Sequence, residues 1–186
     1  RAFEEAVKLL EQVHIPNSSL KAMDYPFQMS GGMLQRCMIA QALACSPDIL
    51  IADEPTTALD VTTQAQILGL IREKKEEKGM SVIFITHDLA LVEDFCDRIM
   101  IMYGGQLMEE GNAKEVISAP LHPYTGDLLR SIPRPGMFKK NDTLYTIPGK
   151  VPEPGEITSG CRYAPRCSYR TAECLASEPG ITTCGN

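Results

Sequence analysis

The sequence predicts an α/β domain with a mostly parallel sheet covered on both faces, followed by a small, loop-rich, cysteine-containing tail. Two short apolar runs carry that expectation, "DILIADE" (48–54) and "SVIFIT" (81–86), both of strand length and rich in β-branched residues. Between them lies "TTQAQILGLIREKKEEKG", a helical pattern closed by Gly79, and short strands separated by helices are the mark of a parallel sheet. With 186 residues and 44% apolar side chains, the chain has material for one sizeable domain and a small appendage.

The elements follow in order. Phe3, Val7, Leu10 and Val13 recur at helical spacing, and because the chain opens at Arg1 inside that pattern it reads as a cut made within a larger protein. "MLQRCMIAQALA" (33–44) predicts a helix that two glycines and a serine introduce. After the strand at 48–54, the helix closed by Gly79 and the strand at 81–86, "DLALVEDFC" predicts a short helix. "RIMIMYGGQLMEEG" (98–111) predicts two strands meeting at Gly104 and Gly105, a hairpin near the sheet edge. From Pro133 onward Pro and Gly thicken, and four of the seven cysteines fall between Cys161 and Cys184. A boundary near 133 is therefore expected, with 1–132 as one domain and 133–186 as an extension.

Charge and hydropathy narrow the function. Eighteen Lys and Arg against 24 Asp and Glu leave a net charge of −6, with no basic run dense enough for a nucleic-acid groove. No stretch of about 18 consecutive apolar residues occurs and no signal pattern opens the chain, so it is expected neither to span a bilayer nor to be exported.

The polar residues gather at the carboxyl ends of the two strands, where such sheets bind ligands. The first strand ends in Asp53 and Glu54. Adjacent strand residues point to opposite sides, so the two carboxylates divide the work: Asp53 for a hydrated Mg²⁺, Glu54 as general base or water-orienting group. An isolated acid pair at a strand end can equally be solvated and idle. The second strand ends in Thr86, His87 and Asp88. Histidine can donate to a phosphate oxygen while a neighbour orients its other nitrogen, although a lone strand-end histidine is often structural. His14 and His122, among ordinary helix-end and turn residues, read as structural. Ser30, Gly31 and Gly32 stand where a helix begins, so open backbone N–H groups, the positive dipole end and a hydroxyl can clasp a phosphate; an ordinary Ser-Gly cap is the alternative.

No G-x-x-x-x-G-K-[ST] occurs anywhere, although handling a Mg²⁺-nucleotide needs a loop that cradles its phosphates and a lysine that neutralises them. "DILIADEP" then reads as the Walker B half of a site whose other half precedes Arg1, and the fragment alone is expected to be inactive. In order, "MSGGMLQR", "ILIADEP", "TALD" and "ITHD" resemble the signature, Walker B, D-loop and switch histidine of ABC transporter ATPase subunits. The chain resembles the carboxyl-terminal part of such a P-loop ATPase domain.

That resemblance implies a set of roles. Ser30, Gly31 and Gly32 would hold the γ-phosphate of ATP bound mainly by a second ATPase subunit, in a homo- or heterodimer. Asp60 would run along the dimer interface. Asp53 would go to Mg²⁺, Glu54 to the attacking water, and His87 to the γ-phosphate and that water. Where the usual signature has a glutamine this chain has Met33, which removes an amide that could reach the nucleotide; Gln35 is carried beside it as a nucleotide-side candidate. The partners implied are two transmembrane permease subunits and, through them, an extracytoplasmic solute-binding protein, with the ATPase peripheral on the cytoplasmic face of the membrane.

The tail, "SAPLHPYTGDLLRSIP" and then "IPGKVPEPGEITSGCRYAPRCSYRTAEC", is similar to the extension of oligopeptide and dipeptide importer ATPases and of some nickel importers. Peptide uptake is the first expectation, nickel or another small solute the second. Cys161, Cys167, Cys174 and Cys184 lie in a segment too rich in Pro and Gly to bury a large core, which suggests a cross-link or metal. Disulfides are disfavoured in the cytoplasm, and the spacing lacks the short pairs usual for zinc. The resemblance implies a [4Fe-4S] cluster on these four thiolates, with zinc as runner-up and free thiols as a third state. Cys37, Cys45 and Cys96 fit core positions. Two readings of another class stay open: a soluble ABC ATPase of DNA repair or translation, and a non-enzymatic partner-binding module.

Overall fold

In the computed structural model, which describes residues 1–133, 145–153, 155–156 and 159–184, contacts divide the chain into Arg1–Asp88 and Leu89–Asn186. The first unit runs α1 (Ala2–Gln12), α2 (Ser18–Lys21), a 3₁₀ turn (Pro26–Gln28), α3 (Gly31–Leu43), β1 (Ile49–Asp53), α4 (Val61–Lys78) and β2 (Ser81–Ile85). The second runs α5 (Leu89–Phe95), β3 (Arg98–Tyr103), β4 (Gln106–Asn112), α6 (Ala113–Ser118), α7 (Pro123–Ser131), a 3₁₀ turn (Ala164–Arg166) and α8 (Ala172–Ala176).

In the first unit β1 and β2 pair in parallel, Ile49 opposite Ser81 through Asp53 opposite Ile85, with α4 as the crossover that parallel pairing requires. Asp60 starts α4: one carboxylate oxygen accepts the Thr63 N–H at 2.9 Å and the other the Thr63 hydroxyl at 2.7 Å. Gly79, in the left-handed region at φ 63°, ends it. Helix α1 packs on α3 and α3 on α4. Leu50 and Ala52 of β1 are buried, as are Ile39, Leu43, Ile67, Leu70 and Ile71 of the helices. The sheet is not covered on both faces among the described residues: Ile49, Ile51, Ile83 and Ile85 are exposed on the alternate positions of the two strands.

The second unit is built on an antiparallel hairpin rather than on a continuation of a parallel sheet. Gly104 and Gly105, at φ 56° and 83°, make the two-residue turn between β3 and β4, the conformation such hairpins favour. Its core is Leu89, Val92, Ile99, Ile101, Ala113, Val116 and Leu129, so helices α5, α6 and α7 meet the inward face of β3. Two short helices there rest on side-chain caps. Asn112 accepts from the Lys114 N–H at 3.1 Å, and His122 Nδ1 accepts from the Tyr124 N–H at 3.1 Å with Pro123 in the first turn. Burial lowers the His122 pKa against the opposing Glu109 charge, which keeps the ring neutral and able to accept.

The described residues between 145 and 184 are ordered by contacts within this unit. Tyr163 is completely buried, edge-on to Tyr103 at 5.2 Å between centroids and tilted against Tyr124 at 5.1 Å. Its hydroxyl donates to Asp127 of α7, which also accepts from Tyr145 at 2.7 Å and from Arg130. Arg166 donates to the carbonyls of Pro148 (2.8 Å) and Ile147 (3.0 Å) and to the Tyr103 hydroxyl (3.1 Å). Arg162 donates to the carbonyl of Gly104 at 2.8 Å.

The expected cysteine cluster does not form. Cys161, Cys167 and Cys174 are half-buried, Cys184 is exposed, and all four are free thiols. Among the described residues no group of three or more His, Cys, Asp or Glu side chains could hold a metal ion, which overturns both the [4Fe-4S] expectation and its zinc runner-up. Cys174 Sγ lies 3.3 Å from the Thr171 hydroxyl, and Cys167 Sγ accepts from the Tyr169 N–H at 3.3 Å, so each thiol is engaged locally. A segment too rich in Pro and Gly to bury a large core is held here without a metal among the described residues. One tyrosine and two arginines supply the order instead.

Candidate functional site

Every candidate residue outside the tail lies in the first unit, on three short segments. The first is the start of α3. The helix begins at Gly31, two residues earlier than the apolar pattern indicates, with Ser30 as N-cap accepting from the Met33 N–H at 3.3 Å. Leu34 donates to the Ser30 carbonyl at 2.9 Å. Among the described residues the Gly31 and Gly32 N–H groups have no protein acceptor, so a helix of 13 residues ends in open donors and a hydroxyl. Gln35 sits half-buried in the second turn, past those donors.

Gly32 has a packing role as well. A Cβ there would come within 2.7 Å of Thr63 Cγ2, and Thr63 cannot easily retreat, because Asp60 holds both its N–H and its hydroxyl. The start of α3 and Asp60 are thus joined through one threonine. Gly32→Ala gains about 1 kcal/mol in helix propensity but meets an overpacking cost of about 1–3 kcal/mol. It is expected to lower the melting temperature, and Thr63→Ala in the same chain is expected to restore it. A Gly32→Ala chain at least as stable as wild type would show that Thr63 yields.

The second and third segments meet. Glu54 follows β1 directly and its N–H donates to the Ile85 carbonyl at 2.9 Å, which ties the carboxyl end of β1 to that of β2. His87, two residues past Ile85, then reaches back, its Nδ1 2.9 Å from Glu54 Oε1. Thr57 donates its hydroxyl to Glu54 Oε2 at 2.8 Å and its N–H to the Glu54 carbonyl at 3.1 Å. Hydrogen bonding from His87, then from Thr57, lowers the Glu54 pKa below the usual carboxylate value. The carboxylate is charged and partly open to solvent, beside an imidazole whose other nitrogen is free to meet a ligand.

Asp53 and Glu54 are set apart by a turn and not by strand pleating, because β1 ends at Asp53. Glu54 adopts the left-handed region at φ 45° and Ala58 does so at φ 63°. Each such residue costs about 1–2 kcal/mol relative to the right-handed form, strain that persists only where the surroundings fix it. Asp53, the last residue of β1, keeps an exposed carboxylate. Mg²⁺ in a nucleotide complex commonly takes one or two carboxylates with phosphates and waters, so a single strand-end aspartate fits that ion. Asp60 is committed to Thr63, whose hydroxyl and N–H lower its pKa.

The structure therefore brings Glu54 and His87 together and links Gly32 to Asp60. No hydrogen bond among the described residues joins the Ser30–Gly32 group to the Glu54–His87 pair. Thr57 opens the quoted "TALD" but only Asp60 of that motif has a role from sequence, and Thr63 lies outside every quoted motif. A hydroxyl three residues after an acid in "EPTT" and "DVTT" is the signal that could have found both.

The ABC transporter family matches residues 1–57, and the oligopeptide/dipeptide transporter C-terminal region matches residues 108–174. A peptide import ATP-binding protein of Brucella melitensis is 49% identical over 186 residues, covering 98% of this chain and 55% of that protein. One from Brucella abortus is 50% identical over 184 residues, covering 99% of this chain and again 55% of the relative. The chain spans about half the length of these relatives. Among solved structures, the dimeric post-hydrolysis ATP-binding cassette MJ0796 bound to ADP and Pi has a TM-score of 0.51 at 35% identity, covering 60% of this chain and 47% of that one. For cbiO1 from Clostridium perfringens, part of the cbiONQ transporter complex, the TM-score is 0.54 at 32% identity, covering 62% of this chain and 45% of that one.

The fold is α/β and similar to part of an ATP-binding cassette. The chain is similar to the ABC transporter family at residues 1–57 and to the C-terminal region of oligopeptide/dipeptide transporters at residues 108–174, each match covering less than half of it. No helix among the described residues is long and apolar enough to cross a membrane.

Proposed function

We propose that these residues form the carboxyl-terminal part of an ATP-hydrolysing subunit that powers peptide uptake through a membrane importer. The observation that supports it most is the Glu54–His87 contact at 2.9 Å, made at the carboxyl ends of two parallel strands. Glu54 orients the attacking water, and His87 holds Glu54 with Nδ1 while Nε2 serves the γ-phosphate. Asp53 holds Mg²⁺, which when bound neutralises charge on the phosphates. Ser30, Gly31 and Gly32 close over ATP held by a second ATPase subunit, with Gln35 on the nucleotide side and Asp60 at the contact between subunits.

Residues 1–132 carry this ATPase role and 133–186 the extension that goes with peptide import. The partners are a second ATPase subunit, two transmembrane permease subunits and, through them, an extracytoplasmic solute-binding protein, with the ATPase peripheral on the cytoplasmic face. The names of the Brucella relatives support peptide as cargo.

The test has two arms. The 186-residue chain alone is expected to hydrolyse ATP negligibly, because its sequence has no phosphate-cradling loop and each oriented donor lost costs about 3 kcal/mol of transition-state stabilisation. The full-length subunit, assembled with its permease partners and binding protein in vesicles, is expected to drive ATP-dependent accumulation of labelled peptide. Steady turnover by the 186-residue chain would overturn the first expectation, and accumulation of nickel ion without peptide would overturn the second.

A further inference from the structure

We propose that Thr57 is a positioning residue for hydrolysis, its hydroxyl fixing the plane in which the Glu54 carboxylate presents itself to water. The inference rests on the reading of Glu54 as the water-orienting group and gives a role to Thr57, the first residue of "TALD", in which only Asp60 has been given one. A glutamate side chain has three rotatable bonds, and this one is 44% exposed, so nothing in its packing alone would hold the carboxylate. Two hydrogen bonds do so: His87 Nδ1 on Oε1 at 2.9 Å and Thr57 Oγ1 on Oε2 at 2.8 Å. With one contact the carboxylate can swing about the other. With both, its plane is set, and each oxygen keeps a lone pair for water.

The two contacts differ in what they depend on. His87 comes from beyond β2 and its side chain is 77% exposed, so its placement follows that of another segment. Thr57 belongs to the same turn as Glu54. Its N–H closes that turn on the Glu54 carbonyl at 3.1 Å while its hydroxyl meets the carboxylate, so backbone and side chain of Glu54 are fixed by one residue. The left-handed backbone at Glu54 (φ 45°) and Ala58 (φ 63°) brackets the turn and aims Thr57 back at Glu54. A threonine suits the position because its branched Cβ restricts the rotamer that carries the hydroxyl.

The experiment uses the full-length ATPase with Thr57→Val, which keeps the shape and removes the hydroxyl, Thr57→Ser, which keeps the hydroxyl, and Glu54→Gln. Losing one well-oriented hydrogen bond to a charged acceptor predicts a fall in kcat of about tenfold for the valine variant, with KM for ATP within about twofold of wild type. Thr57→Ser is expected to recover most of that loss. Should the valine variant not fold, as judged by its melting curve, Thr57→Ala carries the same comparison. A valine or alanine variant with wild-type kcat, in a background where Glu54→Gln is inactive, would overturn the positioning role. A serine variant as slow as valine would overturn it too, because the hydroxyl would not be the cause. If Glu54→Gln itself turns over normally, the reading of Glu54 fails, and the role of Thr57 fails with it.

Discussion

Glu54→Gln in the full-length ATPase is expected to lower ATP turnover by about 100-fold or more while leaving ATP binding nearly intact. The amide keeps the volume of the carboxylate and one acceptor oxygen, so the turn and its contact with Thr57 can survive. What it loses is the charge and basicity with which, on the proposed reading, Glu54 acts on water. Positioned proton transfer is worth about 10²–10⁴-fold. The hydrogen bonds that lower the Glu54 pKa make it a weaker base than an ordinary glutamate, so the low end of that range is the better expectation. Turnover and nucleotide binding measured side by side check this. Unchanged turnover would show that the carboxylate does not carry the chemistry, whereas loss of binding together with turnover would show that the substitution disturbs the fold around β1.

The parts of this site visible in the sequence are those fixed by short-range order. Strand length, the alternation of helix and strand, and polar residues at strand ends are enough to place Asp53, Glu54 and His87 in one region. Bringing Glu54 against His87 took one further fact, the parallel register that sets Asp53 opposite Ile85. The contact of Thr57 with Glu54 was hidden because it depends on a left-handed backbone at Glu54, a conformation that residue type does not announce and that the following Pro55 argues against. Gly32 was half legible. Its freedom to admit an anion follows from having no side chain, but its closeness to Thr63 follows from how α3 meets α4.

The second unit was harder to read for related reasons. Helices α6 and α7 are six and nine residues long, with Pro120 between them and Pro123 opening α7, and the histidine that caps α7 is not a usual capping residue. The cysteines misled because free thiols and metal ligands look alike in a sequence. The residue that settles the segment, Tyr163, is a single aromatic with no periodic signal around it.

Tyr163→Ala in the 186-residue chain is expected to be the most damaging single change in the second unit, costing about 3–5 kcal/mol as large aromatic-to-alanine core changes do. The side chain is fully buried against Tyr103 and Tyr124, so its removal leaves a cavity that two rigid rings cannot refill. It also takes a donor from Asp127. Burial raises the Tyr163 pKa far above its ordinary value and the Asp127 charge raises it further, so the hydroxyl remains a donor throughout the physiological range. Burial on its own would raise the Asp127 pKa, but the bonds from Tyr163 and Tyr145 and the charge of Arg130 outweigh it, and the carboxylate stays ionised. A buried charge short of one donor is costly, so Tyr163→Phe, which keeps the ring, is expected to cost about 1–3 kcal/mol by that route alone. Hydrogen exchange separates the two effects: the alanine variant should lose protection across 160–176 and in α7, the phenylalanine variant chiefly around Asp127. An alanine variant within about 1 kcal/mol of wild type, well short of the cost of emptying a core aromatic site, would mean that Arg162 and Arg166, through the Gly104, Ile147 and Pro148 carbonyls, hold the segment without the tyrosine.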